Sequence, residues 1–277
     1  MEIRSMSLPE LESVLDWAAA EGWNPGLQDA ASFYAADPDG FLLGTLEGQA
    51  VASIFAVRYG AGFGFIGGYI VRPEFRGKGL GMAIWQAGMA HLAGRNVGLD
   101  GVLAQQANYA RSGFKLAHRN VRYEGRGSNM PQHDWVLPLG PQHIAELLDY
   151  DRAFFPGDRT QFMRRWLQQD GSVTLGVHDG GVLKGYGVLR PCRAGFKIGP
   201  LCTESPAVAD ELMHALRGRV PLDEPVFLDV PEPNAAAVAL AARHGMQVCF
   251  ETARMYTGAD PGLPLERQFG ITTFELG

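Results

Sequence analysis

A shift of 132 residues lays the second half of this 277-residue chain over the first. Ile66-Gly67-Gly68 falls on Ile198-Gly199-Pro200, Gly44 on Gly176, Gly48 on Gly180, Leu80 on Leu212 and Gly113 on Gly245. The overlay reads without a gap over roughly 75 residues, which makes the chain a repeat of itself. A repeated order of elements folds as two similar units, and the length suits two domains of about 130 residues each. The units are read as 1–128 and 132–277. The junction lies at Gly125-Arg126-Gly127-Ser128-Asn129-Met130-Pro131, a stretch rich in helix and strand breakers.

Each unit reads as mixed α/β. In the first, Glu2–Met6 is a short strand. Ser7-Leu8-Pro9-Glu10 then opens a helix, with Pro in the first turn and Glu three residues after Ser. Leu8, Leu11, Val14 and Leu15 give that helix its apolar stripe. A loop, Glu21-Gly22-Trp23-Asn24-Pro25-Gly26, leads to a second helix over Leu27–Ala35. Phe41–Leu46 and Gln49–Arg58 are strands joined by a tight turn at Glu47-Gly48. Phe63–Val71, a helix over Leu80–Leu92 and Val97–Leu103 make a βαβ unit, which places its two strands parallel. A short helix over Gln106–Ser112 and a last strand, Phe114–Tyr123, complete the unit. The expected fold is a twisted mixed sheet with helices on both faces.

Composition narrows the function classes. The net charge of −6 gives no basic patch for a nucleic acid. The three cysteines, Cys192, Cys202 and Cys249, form no CxxC pair, and the histidines show no ligand spacing, so no metal site is expected. No apolar run reaches the roughly 18 residues of a membrane span, and the first residues lack a basic, then apolar leader. A cytoplasmic protein is the expectation.

The chemistry concentrates in Val71-Arg72-Pro73-Glu74-Phe75-Arg76-Gly77-Lys78-Gly79-Leu80-Gly81, between a strand and a helix start. Closely spaced glycines let backbone amides converge on one concavity with no Cβ in the way. The helix N-terminus adds its positive dipole end, and Arg76 and Lys78 add full charges. The segment reads as a diphosphate cradle. It lacks the Gly-Lys-[Ser/Thr] of a Walker loop and the setting of a dinucleotide fingerprint.

Arg76-Gly77-Lys78-Gly79-Leu80-Gly81 resembles the [Gln/Arg]-x-x-Gly-x-[Gly/Ala] signature of GNAT-type acetyl-CoA-dependent N-acetyltransferases. Tyr109-x-x-x-Gly113-Phe114 is similar to the Tyr-x-x-x-Gly-Phe that closes such domains. The resemblance covers nearly all of the first half, and the chain looks most like tandem proteins with one intact and one degenerate GNAT domain. It implies that the amides of Gly77, Lys78, Gly79, Leu80, Gly81 and Met82, with Arg76, hold the CoA pyrophosphate. It implies that Ile70 and Val71 pair with the pantetheine, that the strands on either side of the helix splay around the thioester, and that Tyr109 protonates the departing thiolate. A phenol, with its pKa near 10, suits a donor that stays protonated at neutral pH.

The base is open at this stage: Phe63–Val71 holds no Asp, Glu or His, which leaves Asp100 and Glu47 as candidates. Trp23 and Asn24, in the loop that borders the acceptor in this family, are the candidate substrate residues, with Glu21 and Asp29 as acids able to attract a cation. Under the same shift Arg76–Gly81 falls on Val208-Ala209-Asp210-Glu211-Leu212-Met213, so two acids are expected where a diphosphate would sit, and Tyr109 falls on Ala241. Asn234 has no counterpart in the first half, where Val102 stands. The second unit then either covers the first as a fused pseudo-dimer partner or shapes its acceptor site, through Phe155-Pro156-Gly157, Arg254-Met255-Tyr256 or the tail Phe269–Glu275. The leading functional reading is direct acetyl transfer to a primary amine of a small molecule or peptide, by a monomer or a homodimer. The alternatives are a non-catalytic sensor of CoA or acyl-CoA and an interaction scaffold.

Overall fold

The computed structural model describes residues 1–129 and 132–277. Met130 and Pro131, the last two residues of the expected junction, lie outside the described residues. The first half contains β1 (Glu2–Ser5), α1 (Leu8–Ala20), α2 (Asp29–Ala36), β2 (Phe41–Leu46), β3 (Gln49–Tyr59) and β4 (Phe63–Val71), followed by α3 (Leu80–His91), β5 (Asn96–Val102), α4 (Gln106–Arg111) and β6 (Lys115–Arg126). The second contains β7 (Val136–Pro138), α5 (Ile144–Asp151), α6 (Thr160–Trp166), β8 (Val173–Asp179), β9 (Val182–Pro191) and β10 (Phe196–Thr203). It continues with α7 (Pro206–Arg217), β11 (Pro225–Pro231), α8 (Ala235–Arg243), β12 (Gln247–Tyr256) and β13 (Gln268–Gly270).

Local rules place most of these. Glu10 reaches back to the Ser7 amide at 2.8 Å and so closes the start of α1. Glu47 and Gly48 both take left-handed backbone angles, φ 50° and 79°, the conformation a two-residue hairpin turn needs. β3 is buried on both faces. Ile54 and Ala56 pack with Ile84 and Trp85 of α3, while Phe55 and Val57 pack with Leu11, Val14 and Phe33 of α1 and α2. The second core continues across the halves: Phe33 stacks on Trp166 of α6, ring centres 6.4 Å apart.

The strands form one 13-stranded sheet, ordered β1-β2-β3-β4-β5-β12-β6-β11-β10-β9-β8-β7, with β13 added on β10. The two βαβ units are parallel, β4 with β5 and β10 with β11, as the crossovers require. The strand that follows the βαβ unit and its short helix, β6 in the first half and β12 in the second, does not pair with the βαβ strand of its own half. β12 lies antiparallel to β5, and β6 lies antiparallel to β11, while β6 and β12 pair with each other. The halves have exchanged β6 and β12.

Each exchanged strand is held by the same device. Arg254 of β12 stands opposite Asp100 of β5, and Arg122 of β6 stands opposite Asp229 of β11. Both guanidiniums fork onto their carboxylates, at 2.9 and 2.6 Å for Arg254 and at 2.6 and 2.8 Å for Arg122. All four side chains are buried. Arg122 and Arg254 coincide under the 132-residue shift.

The gapless overlay needs correction in its middle. Offset 132 sets Gly113 against Gly245, left-handed at φ 91° and 67° just beyond α4 and α8. Between β10 and β11 it fails, because α7 begins at Pro206 rather than Leu212. Only Glu204 and Ser205 join β10 to α7, so the cradle of the first half has no counterpart loop at all. Asp210 and Glu211 sit well inside α7, not at a phosphate position, and Asp210 pairs with His244 at 2.7 Å.

Candidate active site

β4 and β5 pair only from Phe63↔Asn96 to Ile66↔Leu99. Beyond that point the strands separate. β4 also carries an extra residue there, since its partners on β3 shift between Ser53↔Ile70 and Phe55↔Gly67. Gly68 takes φ 53° at this bulge, and its carbonyl accepts the Ser53 hydroxyl at 2.8 Å. A cavity of about 500 Å³ opens between the separated strands. β4 contributes Ile66 to Val71 to its walls and β5 contributes Leu99 to Val102. The second half supplies Phe250 and Thr252 from the exchanged β12, and Phe274 and Glu275 from the tail.

The glycine loop stands at one end of this opening. Gly77 and Gly79 are left-handed, at φ 75° and 76°, and a Cβ on either would meet open space. Glycine is demanded there by the backbone, not by crowding. Gly79 precedes α3 with no side-chain cap, so the first-turn amides of Leu80, Gly81 and Met82 face outward without one. Gly81 is fixed differently: a Cβ would lie 2.6 Å from the Tyr69 hydroxyl. Lys78 donates to the Glu74 carbonyl at 3.2 Å and lies 5.2 Å over the Phe75 ring. Arg76 turns inward, donating from Nε to the Val71 carbonyl at 2.8 Å and pairing with Glu21. Uncapped amides, left-handed glycines and a slot between separating strands fit an acyl-CoA, whose pyrophosphate and pantetheine need such a surface.

Tyr109 lies on the cavity wall from α4, its ring against Gly101 of β5, where a Cβ would stand 2.2 Å from Cε2. Trp85 packs beside it at 5.7 Å between ring centres. Burial, and next the neighbouring Tyr69, push the Tyr109 phenol up to about 12. The hydroxyl therefore keeps its proton through the whole physiological range, which is what a proton donor requires.

The other candidates fare differently. Asp100 is in the wall, but Arg254 takes both its oxygens and Asn120 adds a bond to Oδ1 at 2.7 Å. Glu47 sits in the β2–β3 turn and is not in the wall. Trp23 lines the cavity and is held by its carbonyl, which accepts Arg122 Nη1 at 2.8 Å. Asn24 is outside the wall. Its amide exchanges bonds with the Ala194 backbone at 3.0 and 2.8 Å, and its carbonyl accepts Lys197 Nζ at 3.0 Å. Asp29 is no surface acid: it is fully buried and paired with Arg190 at 3.0 Å. Arg254 lies in the Arg254-Met255-Tyr256 segment that the sequence offered for shaping the acceptor site, and it acts from behind the wall; Phe250, Thr252 and Arg122 were not singled out by function. The signal for Arg122 was its coincidence with Arg254 in the repeat.

In the second half the equivalent slot is filled. β10 and β11 pair as far as Ile198↔Leu228 and then separate, and β13 enters the gap, with Leu201↔Gly270 and Cys202↔Gln268. Ile271 closes the other side by donating to the Asp229 carbonyl at 2.9 Å. Asn234 caps α8 through Ala237 and donates to the Leu265 and Gln268 carbonyls at 2.9 and 3.0 Å. That is the work of the asparagine that the first half lacks.

Among the described residues no helix is long and apolar enough to cross a membrane, and no group of three or more His, Cys, Asp or Glu side chains could hold a metal ion. Residues 8–114 match the acetyltransferase (GNAT) family model, and 147–270 match an acetyltransferase (GNAT) domain model. The holothin acyltransferase of Pseudoalteromonas sp. (strain SANK 73390) is 30% identical over 272 residues, 98% of this chain and 92% of that protein. The structure of a putative acetyltransferase from Pyrococcus horikoshii superposes with a TM-score of 0.83 at 20% identity, covering 100% of this chain and 95% of that one. A tandem GNAT protein from the clavulanic acid biosynthesis pathway superposes at 0.63 with 15% identity, over 94% and 99% of the two chains. The chain belongs to the GNAT acyltransferases and is a tandem-domain member of that family.

Proposed function

We propose that this acyltransferase moves an acetyl group from acetyl-CoA to the primary amine of a small molecule, in the cavity of the first half. The observation that carries this reading is the 500 Å³ opening between β4 and β5, with the glycine loop at one end and the Tyr109 phenol in its wall. The name of the holothin acyltransferase, which matches along nearly the whole chain, favours a small-molecule acceptor over a peptide.

In this reading unit 1–128 carries the catalytic slot and unit 132–277 supports it. Bound acetyl-CoA supplies an activated acyl carbon, and the protein positions, shields and moves protons. The amides from Gly77 to Met82, with Lys78, hold the pyrophosphate. Ile70 and Val71 offer backbone bonds to the pantetheine, which requires Arg76 to leave the Val71 carbonyl and turn to the phosphates. Tyr109 delivers its proton to the leaving sulfur. Trp23 covers the acceptor, and Asn24 holds the Trp23 loop on the second half. Asp100, with both oxygens occupied, keeps Arg254 and β12 in place. No covalent acyl-enzyme is needed, because direct attack by a positioned amine is enough. The strand exchange supports reading the tandem pair as its own pseudo-dimer.

Initial rates measured against both substrates test the reading. Intersecting double-reciprocal lines are expected for attack within a ternary complex. Parallel lines would contradict it, and acetyl-CoA binding without transfer to any amine would favour the sensor.

A further inference from the structure

The tail of the second half passes both slots in turn. After β13 fills its own slot, Thr272 to Glu275 run on to the cavity of the first. Gly67 of β4 and Gly199 of β10, which coincide in the repeat, mark the passage. A Cβ on Gly199 would lie 2.5 Å from the Ile271 carbonyl oxygen, and one on Gly67 would lie 2.0 Å from that of Glu275. Glu275 is thus laid against β4 at the residue where β4 and β5 part.

Its carboxyl group is in an unusual state. Glu275 is 4% exposed and belongs to the cavity wall. Oε2 accepts a bond from the Thr273 hydroxyl. Oε1 is closed to solvent and has no hydrogen-bond partner among the described residues. A buried carboxylate oxygen left unpaired is costly unless a donor arrives to satisfy it. Asp100, the other buried carboxylate of the wall, has both oxygens taken by Arg254.

We propose that Glu275, delivered by the second half, is the carboxylate that receives the proton of the acceptor amine in the first half's cavity. This rests on the transferase reading given above. As the C–N bond forms and the C–S bond breaks, the nitrogen gives one proton to the Glu275 carboxylate and the sulfur leaves with the Tyr109 proton. Release of product returns the proton from Glu275 to water, and Tyr109 recovers one, so the turnover balances. The second half has a defined part in this chemistry: its slot, closed by β13 and Asn234, is the anchor that sets where Glu275 stands.

The test compares the unaltered chain with Glu275→Gln and Glu275→Asp. Acetyl-CoA binding is measured first by calorimetry, then release of the CoA thiol with holothin and tyramine as probe acceptors. Glu275→Gln is expected to bind acetyl-CoA as the unaltered chain does and to lose about 10²- to 10⁴-fold in kcat. Glu275→Asp, which keeps the carboxylate but withdraws it, is expected to turn over faster than Glu275→Gln and slower than the unaltered chain. A Glu275→Gln rate within about threefold of normal, or a Glu275→Asp rate no higher than that of Glu275→Gln, would overturn the role. Failure of the unaltered chain to bind acetyl-CoA, or to acylate either probe while binding it, would overturn the transferase reading and this role with it.

Discussion

Arg254 and Asp100 face each other across neighbouring strands that come from different halves of the chain, joined by a buried two-pronged ion pair. The pair fixes β12 beside β5 and so brings Phe250 and Thr252 to the cavity wall. Truncating Arg254 to Ala would leave the Asp100 carboxylate buried with Asn120 and Thr252 as its remaining donors. Breaking one side of a buried pair costs about 3–5 kcal/mol. Urea unfolding of Arg254→Ala is expected to show a loss of that order, and Asp100→Leu combined with Arg254→Met is expected to recover much of it. A loss below about 1 kcal/mol in Arg254→Ala would mean that the exchanged strand is held by something else.

His118 stands opposite Arg254 on β6. Burial, then the Arg254 charge, push its pKa down to about 4. Below its ordinary value near 6.5 the unfolded chain binds a proton that the folded chain refuses. Stability contributed by this group is therefore complete above about pH 6.5 and falls as the pH drops toward 4, by up to about 1.4 kcal/mol per pH unit. Denaturant titrations at several pH values are expected to show this slope and to lose it in His118→Gln. An unchanged slope in the variant would assign the effect to other groups.

For Tyr109 the expected signature is a split between binding and turnover. Tyr109→Phe keeps the ring against Gly101 and removes only the hydroxyl, so acetyl-CoA affinity and thermal stability are expected to stay near normal. kcat is expected to fall by about 10²- to 10⁴-fold. Because the phenol is held up near 12, the unaltered enzyme is expected to show no alkaline loss of rate from this group below about pH 11. Full activity in Tyr109→Phe would remove the phenol from the mechanism.

Much of the site was legible because glycine carries backbone information. Gly77 and Gly79 are left-handed, Gly113 ends α4, and Gly48 completes a turn, so the strand–loop–helix cradle could be read directly from the residues. The pairing of β6 and β12 could not. Both exchanged strands carry an arginine, Arg122 and Arg254, and the βαβ strands β5 and β11 carry its aspartate, Asp100 and Asp229. Self-pairing and exchange therefore satisfy the same local pattern, and only the packing of the whole sheet decides between them. The carboxylate of Asp100 was legible as a residue of the wall, but its partner comes from 154 positions further along the chain. The closing of the second slot was hidden for a related reason. The overlay suggested that charge had replaced the cradle, whereas the loop is missing and β13 fills the gap it would have served.

The measurement that tests the account most directly is a calorimetric titration of acetyl-CoA into the full chain, counting sites. One site per chain is predicted, abolished by Gly79→Glu, which places a carboxylate in a left-handed position of the cradle. Two sites would contradict the closure of the second slot by β13. No binding, or a single site untouched by Gly79→Glu, would contradict the assignment of the glycine loop and the β4–β5 opening to the acyl donor.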